Sequence, residues 1–132
     1  MTGRVGAAAA VLIRAGEVVA GHQAAASRRP GVAPRDWCRG PARLASTLGL
    51  SGADSGRDFC TPPVAAERGR SDLVVRAPAE PNDPDRLRTG PRVGVAGAGG
   101  DVAAYPWRFW LDGEPTVSVY RPAKPRARRA AR

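Results

Sequence analysis

Short apolar runs separated by glycine and proline divide the first half of the chain into one strand and two helices. Residues 8–14 are an apolar run, with β-branched residues towards its end, that Arg14 closes, which predicts a buried strand. The alanine-rich residues 21–28 predict a short helix. Pro41 suits the first turn of a second helix, because its missing N–H would be unpaired there anyway, and Gly49 ends that helix. Residues 51–70 are rich in Gly, Ser, Asp and Pro, so they predict a long loop.

The second half of the chain alternates short apolar pairs with turn-forming residues. Residues 73–76 predict a strand, and residues 77–90, which contain three prolines, predict a connection. The alternation over residues 93–95 is typical of a half-buried strand. Residues 105–111 and 117–119 lie on either side of an Asp-Gly turn, so we expect them to pair as a hairpin.

The composition predicts a thin core. The 132 residues allow one domain, and they include 16 Gly and 13 Pro but few large apolar side chains. No apolar run approaches the roughly 18 residues that a membrane span requires, which rules out a membrane-spanning protein. Cys38 and Cys60 are too few for a disulfide scaffold, so we expect reduced thiols and a cytoplasmic protein.

Much of the net charge of +9 lies at the C terminus. Residues 121–132 contain five Arg, one Lys and no acidic residue. Such a tail cannot bury apolar surface, so we expect it to be disordered beyond a domain of residues 1–120. Two interpretations stay open: a solubilising extension, or a segment that attracts phosphates and releases them as salt rises.

Three features could carry chemistry, and each has a plainer interpretation. The glycine-rich residues 94–100 lack the following helix of a dinucleotide loop, so a turn between strands is favoured. His22 has no partners at zinc-ligand spacing, and a surface histidine is the favoured interpretation. The aromatic residues among 107–110 flank an arginine and could stack on nucleic-acid bases, but in a chain with few aromatics we expect them in the core. None of the four glutamates stands out as a general base, so a solvated face is expected for each.

Six short motifs nevertheless occur in an order that resembles the alkyladenine (3-methyladenine, methylpurine) DNA glycosylase family. Each is weak alone, but the ordered set is specific and extends over residues 5–123. The motifs are AVLIRA (10–15), GPARLA (40–45), LGL (48–50), GPRVGV (90–95), PWRFW (106–110) and VS (117–118).

The resemblance implies an α+β fold with a curved antiparallel β-sheet and short peripheral helices. It covers only the C-terminal part of the family's domain, so we expect residues 1–120 to be a partial domain whose N-terminal half is missing. In the family, that upstream half carries the general-base glutamate, in a Glu-Thr-Glu-Ala-Tyr-like segment, and the aromatic residues that sandwich the flipped base. We find no such segment here, and expect a truncated product or a gene model with a late start.

For individual residues, the resemblance implies a water site and a phosphate site. Arg14 matches an arginine that helps to hold the attacking water, and Val93 matches a residue whose backbone carbonyl accepts from that water. Gly40, Pro41 and Arg43 match a helix start that approaches a DNA phosphate, which is a positioning contact. The alternative for Arg14 is a strand-end arginine that pairs with a carboxylate.

The implied function is a DNA glycosylase of base-excision repair. Such an enzyme flips an alkylated or deaminated purine out of the duplex and hydrolyses its N-glycosidic bond. We expect double-stranded DNA with a damaged purine as the partner, a monomer associated with the nucleoid, and no cofactor or metal. Because the general base is missing, we expect very weak or absent excision by this chain alone. The alternative is a catalytically inactive remnant that only binds DNA.

Overall fold

A computed structural model of the chain describes residues 6, 9–57, 59–60 and 73–123. The chain divides into two compact units, Met1–Asn82 and Asp83–Arg132. Among the described residues, no helix has the length and apolar character to cross a membrane.

Two α-helices, four single-turn 3-10 helices and four short strands make up the described fold. The helices are α1 (His22–Arg28) and α2 (Pro41–Leu48). The 3-10 turns are Pro34–Asp36, Gly52–Asp54, Pro84–Arg86 and Ala98–Gly100. The strands are β1 (Phe59–Cys60), β2 (Leu73–Val74), β3 (Leu87–Gly90) and β4 (Arg108–Leu111).

Both predicted helices are confirmed, and local signals define their ends. Pro41 occupies the first turn of α2, and Gly49 adopts a left-handed conformation with φ 71° directly after Leu48. That conformation lets the Gly49 N–H donate to the Ser46 carbonyl at 3.1 Å and ends the helix. A side chain would be strained at this φ, which explains the glycine.

The core of the first unit is small, as the composition predicts. Among the described residues, the buried hydrophobic side chains are Ala25 of α1 and the adjacent pair Trp37 and Cys38. Val32 and Leu44 pack against this cluster while remaining partly exposed. One tryptophan therefore supplies most of the apolar volume that α1 and α2 share.

The buried strand predicted over residues 8–14 is wrong for residues 9–14, which the structure describes. They form no strand, and Val11, Leu12 and Ile13 are exposed by 78%, 64% and 54%. The segment's β-contact is an isolated antiparallel bridge between Ala15 and Arg39. A strand exists only when a partner satisfies its N–H and C=O groups, and the described part of the chain offers residues 9–14 none.

Strand β4 forms where the sequence predicts it but pairs with a different segment. Its antiparallel partner is β3, with Thr89 opposite Phe109. The predicted hairpin with residues 117–119 is therefore wrong, as is the connection predicted over residues 87–90. Backbone contacts close the β3–β4 pair, because the Asp112 N–H donates to the Arg86 carbonyl at 2.7 Å.

Two further expectations in the second unit fail. The strand predicted over residues 93–95 is absent, and Val93 begins a turn, whereas the glycine-rich residues 94–100 turn as predicted. Trp107 and Phe109 are exposed by 58% and 64%, so the expected core role is wrong for both. Side chains two residues apart in an extended segment lie on the same face, so both aromatic rings lie on one face and stay more than half exposed.

The remaining pair of strands differs from the antiparallel expectation. Strands β1 and β2 pair in parallel, so residues 59–60 interrupt the predicted 51–70 loop, while the 73–76 strand is shortened to two residues. The rest of that loop from residue 61 onward lies outside the described residues. Two helices with small, unclosed sheets confirm the α+β class.

Candidate nucleic-acid interface

The Ala15–Arg39 bridge brings the predicted water-site arginine next to the predicted phosphate-binding helix start. Its pairing is antiparallel, so Arg14 and Gly40 occupy neighbouring positions on the two segments. Arg14 is half-buried, and among the described residues no carboxylate pairs with it. The first unit thus contains four of the five predicted site residues.

The start of α2 presents Arg43 in its first turn. Gly40 precedes the helix with φ 130°, a conformation that favours glycine, and its carbonyl accepts from the Leu44 N–H at 2.8 Å. Pro41 then occupies a first-turn position that needs no N–H donor. This geometry leaves the Arg43 side chain half-exposed at the surface.

Buried hydrogen bonds hold α2 in place. Thr47 is 2% exposed, and its hydroxyl lies 2.7 Å from the Trp37 carbonyl and 2.9 Å from the Arg43 carbonyl. The Trp37 indole N–H donates to the Val32 carbonyl at 2.9 Å. From α1, the Arg28 guanidinium donates to the Thr47 carbonyl at 3.0 Å. The loop before α2 and both helices are thereby linked through polar contacts as well as packing.

Three arginines surround one carboxylate beside this helix start. Asp36 ends the Pro34–Asp36 turn, and its side chain lies within 4.0 Å of guanidinium nitrogens from Arg35, Arg39 and Arg43. Of these three arginines, only Arg43 was predicted from the sequence as a site residue. The available signal was the spacing, since the arginines lie one residue before the acid and three and seven residues after it.

Val93, the fifth predicted site residue, lies in the second unit, at the turn that begins the glycine-rich loop. Arg92 braces this loop: its guanidinium packs 5.4 Å from the Trp107 ring centroid and donates to the Gly99 carbonyl. A Cβ at Gly100 would lie 2.5 Å from the Val95 carbonyl oxygen, so the loop closes too tightly for any side chain there. These contacts restrain the backbone that carries the Val93 carbonyl.

The second unit also contains a cleft of ≈ 330 Å³ that no sequence pattern predicts. Trp110, Tyr120 and Glu114 contribute to its lining. Arg108 lies over the Trp110 ring at 4.5 Å and donates to the Ser118 carbonyl at 2.9 Å. The cation thus already occupies one face of the Trp110 ring.

His22 is exposed, as predicted, with its ring 6.1 Å from that of Trp37. Within the described ranges, no three His, Cys, Asp or Glu side chains gather closely enough to hold a metal ion.

Comparison with known proteins shows the family of the chain. Residues 1–115 match the family model described as methylpurine-DNA glycosylase. The chain therefore belongs to the methylpurine-DNA glycosylase family.

Curated relatives show the same relationship. The chain is 44% identical over 128 residues to a Streptomyces avermitilis protein provisionally named 3-methyladenine DNA glycosylase, covering 96% of this chain and 55% of the relative. Relatives with the same provisional name in Leifsonia xyli and Frankia casuarinae are each 44% identical, over 121 and 126 residues. These alignments cover 88% and 92% of this chain, and 51% and 56% of the relatives. The chain thus spans about half the length of the curated relatives it matches.

Proposed function

We propose that this chain supplies the phosphate-binding and water-positioning part of a DNA glycosylase that removes alkylated or deaminated purines. The observation that carries the proposal is the Ala15–Arg39 bridge in a chain of this family. It joins Arg14, proposed to hold the attacking water, to the helix start proposed to hold a DNA phosphate. The partner is double-stranded DNA with a damaged purine, and the chain acts as a monomer.

The chemistry of the proposed residues limits what they can do. An arginine side chain stays protonated in proteins and offers only donors, so Arg14 can orient a water molecule but cannot deprotonate it. The Val93 backbone carbonyl offers only a hydrogen-bond acceptor, so it too can orient water without deprotonating it. Deprotonation of the water therefore requires a separate general base. The family resemblance assigns that role to a glutamate in a segment that has no match in this sequence.

Single-turnover release of hypoxanthine from a labelled duplex tests whether this chain positions water and DNA but lacks the general base. We expect very weak or absent release by the 132-residue chain, together with duplex binding that weakens as salt rises. Arg14→Ala should leave that binding within about twofold, because the proposed role of Arg14 lies in the chemistry. Absence of salt-dependent duplex binding would overturn the proposal.

A chimera tests the excision step itself. Residues 1–115 would replace the matching part of the Streptomyces avermitilis relative, and base release would be measured with and without Arg14→Ala. We expect release by the chimera and a large loss in the variant, with Arg43→Ala weakening binding instead. Equal release by the chimera and its Arg14→Ala variant would exclude Arg14 from the water site.

The alternative is a catalytically inactive DNA-binding remnant, favoured by the absence of a Glu-Thr-Glu-Ala-Tyr-like segment from these 132 residues. Salt-sensitive binding by the chain combined with an inactive chimera would support this alternative. Efficient release by the unmodified chain would instead mean that a general base lies within it, with Glu17 as the next residue to replace.

A further inference from the structure

The Asp36 cluster, comprising Asp36, Arg35, Arg39 and Arg43, has a graded set of contacts. Arg39 is nearest, with its Nη1 3.3 Å from Oδ1 of Asp36, within hydrogen-bond distance. The Nε of Arg35 lies 3.6 Å from Oδ2, and Nη1 of Arg43 lies 3.9 Å from Oδ1. The carboxylate is only 27% exposed, whereas Arg35 and Arg43 are 75% and 51% exposed. A partly buried acid thus contacts two arginines that open to the surface.

The backbone of Asp36 is anchored at both ends. Its N–H donates to the Ala33 carbonyl at 2.8 Å, and the next residue, Trp37, is 5% exposed. The Trp37 carbonyl in turn lies 2.7 Å from the Thr47 hydroxyl of α2, the helix that carries Arg43. The Asp36 carboxylate and Arg43, the most distant of the three arginines, therefore belong to one substructure that these hydrogen bonds hold together.

The charges in the cluster do not cancel. Three guanidinium groups face one carboxylate, which leaves an excess of two positive charges, and no other described carboxylate forms an ion pair with these arginines. The contacts of Arg35 and Arg43 are longer than a charge-assisted hydrogen bond, so most of their N–H donors stay available. Unpaired guanidinium donors held close together match the oxygens of a phosphodiester.

We propose that Asp36 is a positioning residue that holds Arg35, Arg39 and Arg43 as a preformed site for one DNA backbone phosphate. The inference rests on the proposed function and extends the expected Arg43 contact to three arginines organised by one acid. The carboxylate repels the phosphate itself, so it acts only through the guanidinium groups. Its benefit is that long side chains are already restrained before DNA arrives.

Asp36→Asn separates positioning from simple charge, because the two predict opposite signs. The substitution removes one negative charge and so raises the net charge by one, which means that an unspecific electrostatic effect would tighten DNA binding. Loss of positioning instead predicts duplex binding weakened about three- to tenfold at 0.1 M salt, with a shallower slope of log K against log salt. Glu80→Gln is the matched control: it removes the same negative charge from an exposed residue of the same unit, and no ion pair among the described residues joins Glu80 to the cluster.

The wild-type titration distinguishes failure of the inference from failure of the proposed function. Wild-type chain that does not bind DNA overturns both. Salt-sensitive wild-type binding with Asp36→Asn as tight as Glu80→Gln, or tighter, overturns the inference alone.

Two further measurements keep the test independent of folding. Arg35→Ala removes an exposed side chain and should lower the salt slope by about 0.9, the value for one lost phosphate contact. An unchanged slope would exclude Arg35 from the site. Arg43→Ala should weaken binding less in the Asp36→Asn background than in the wild type, and strictly additive effects would overturn the positioning role. Far-UV circular dichroism and unfolding midpoints would be recorded for every variant.

Discussion

The Thr47 hydroxyl is the buried polar contact that ties α2 to the loop carrying Trp37, and Thr47→Val removes it without changing side-chain shape. In the wild type the Thr47 hydroxyl lies 2.7 Å from the Trp37 carbonyl, and the substitution leaves that carbonyl without a side-chain partner. Both residues are almost fully buried, at 2% and 5% exposure, so water cannot readily replace the lost donor.

The expected cost follows from that burial. A buried acceptor deprived of its donor costs about 1–3 kcal/mol, a large share of the stability of a thin-cored domain. Thr47→Ser retains the hydroxyl and removes one methyl group, which costs about 1 kcal/mol of transfer free energy. The hydrogen-bond account therefore ranks Thr47→Val as the more destabilised variant.

Urea unfolding followed by far-UV circular dichroism measures this ranking. A packing account predicts the reverse order, because valine fills the same volume and serine leaves a small cavity. Wild-type stability in Thr47→Val, alongside a loss in Thr47→Ser, would refute the reasoning. It would also weaken the inference that Asp36 and α2 belong to one braced substructure.

Three further predictions use separate features. Gly49→Ala should lower the unfolding free energy by about 1–2 kcal/mol, because φ is 71° and the new Cβ would lie 3.0 Å from the Arg28 guanidinium carbon. In thermal unfolding, the control Gly52→Ala should lower the midpoint less than Gly49→Ala does, because φ at Gly52 is ordinary and the space around it is open. Donation from the Ser51 backbone N–H, and then from Arg57, lowers the pKa of Asp54 below its ordinary 3.8. The stabilisation linked to that carboxylate is thus complete above pH 3.8 and is lost as the pH falls through the lowered pKa. NMR titration of Asp54 should show the lowered pKa, and Asp54→Asn should abolish this part of the pH dependence of stability. Deletion of residues 121–132 removes six positive charges and should flatten the salt slope of DNA binding; an unchanged slope would favour a solubilising role for the tail.

The sequence alone determined the features that depend on near neighbours. Pro41 and Gly49 define α2 to the residue, because a helix is built from hydrogen bonds four residues apart and its ends depend on local backbone preferences. The thin core follows from composition for a similar reason, since few large apolar side chains can bury little surface. The ordered motifs identified the family without any knowledge of packing.

Only the tertiary structure decided which strands form and which arginines gather. Strand β4 has the composition of a strand, but its partner β3 lies some twenty residues earlier, in a segment whose prolines predict a connection. The run at residues 11–13 has equally good strand composition and remains exposed, since no described segment pairs with it. Asp36 is one acid among many in the sequence and becomes the centre of a basic cluster only after the Pro34–Asp36 turn and α2 bring three arginines around it. Helical hydrogen bonds are satisfied within a segment, whereas strand pairing and charge clustering require partners that chain folding alone brings together.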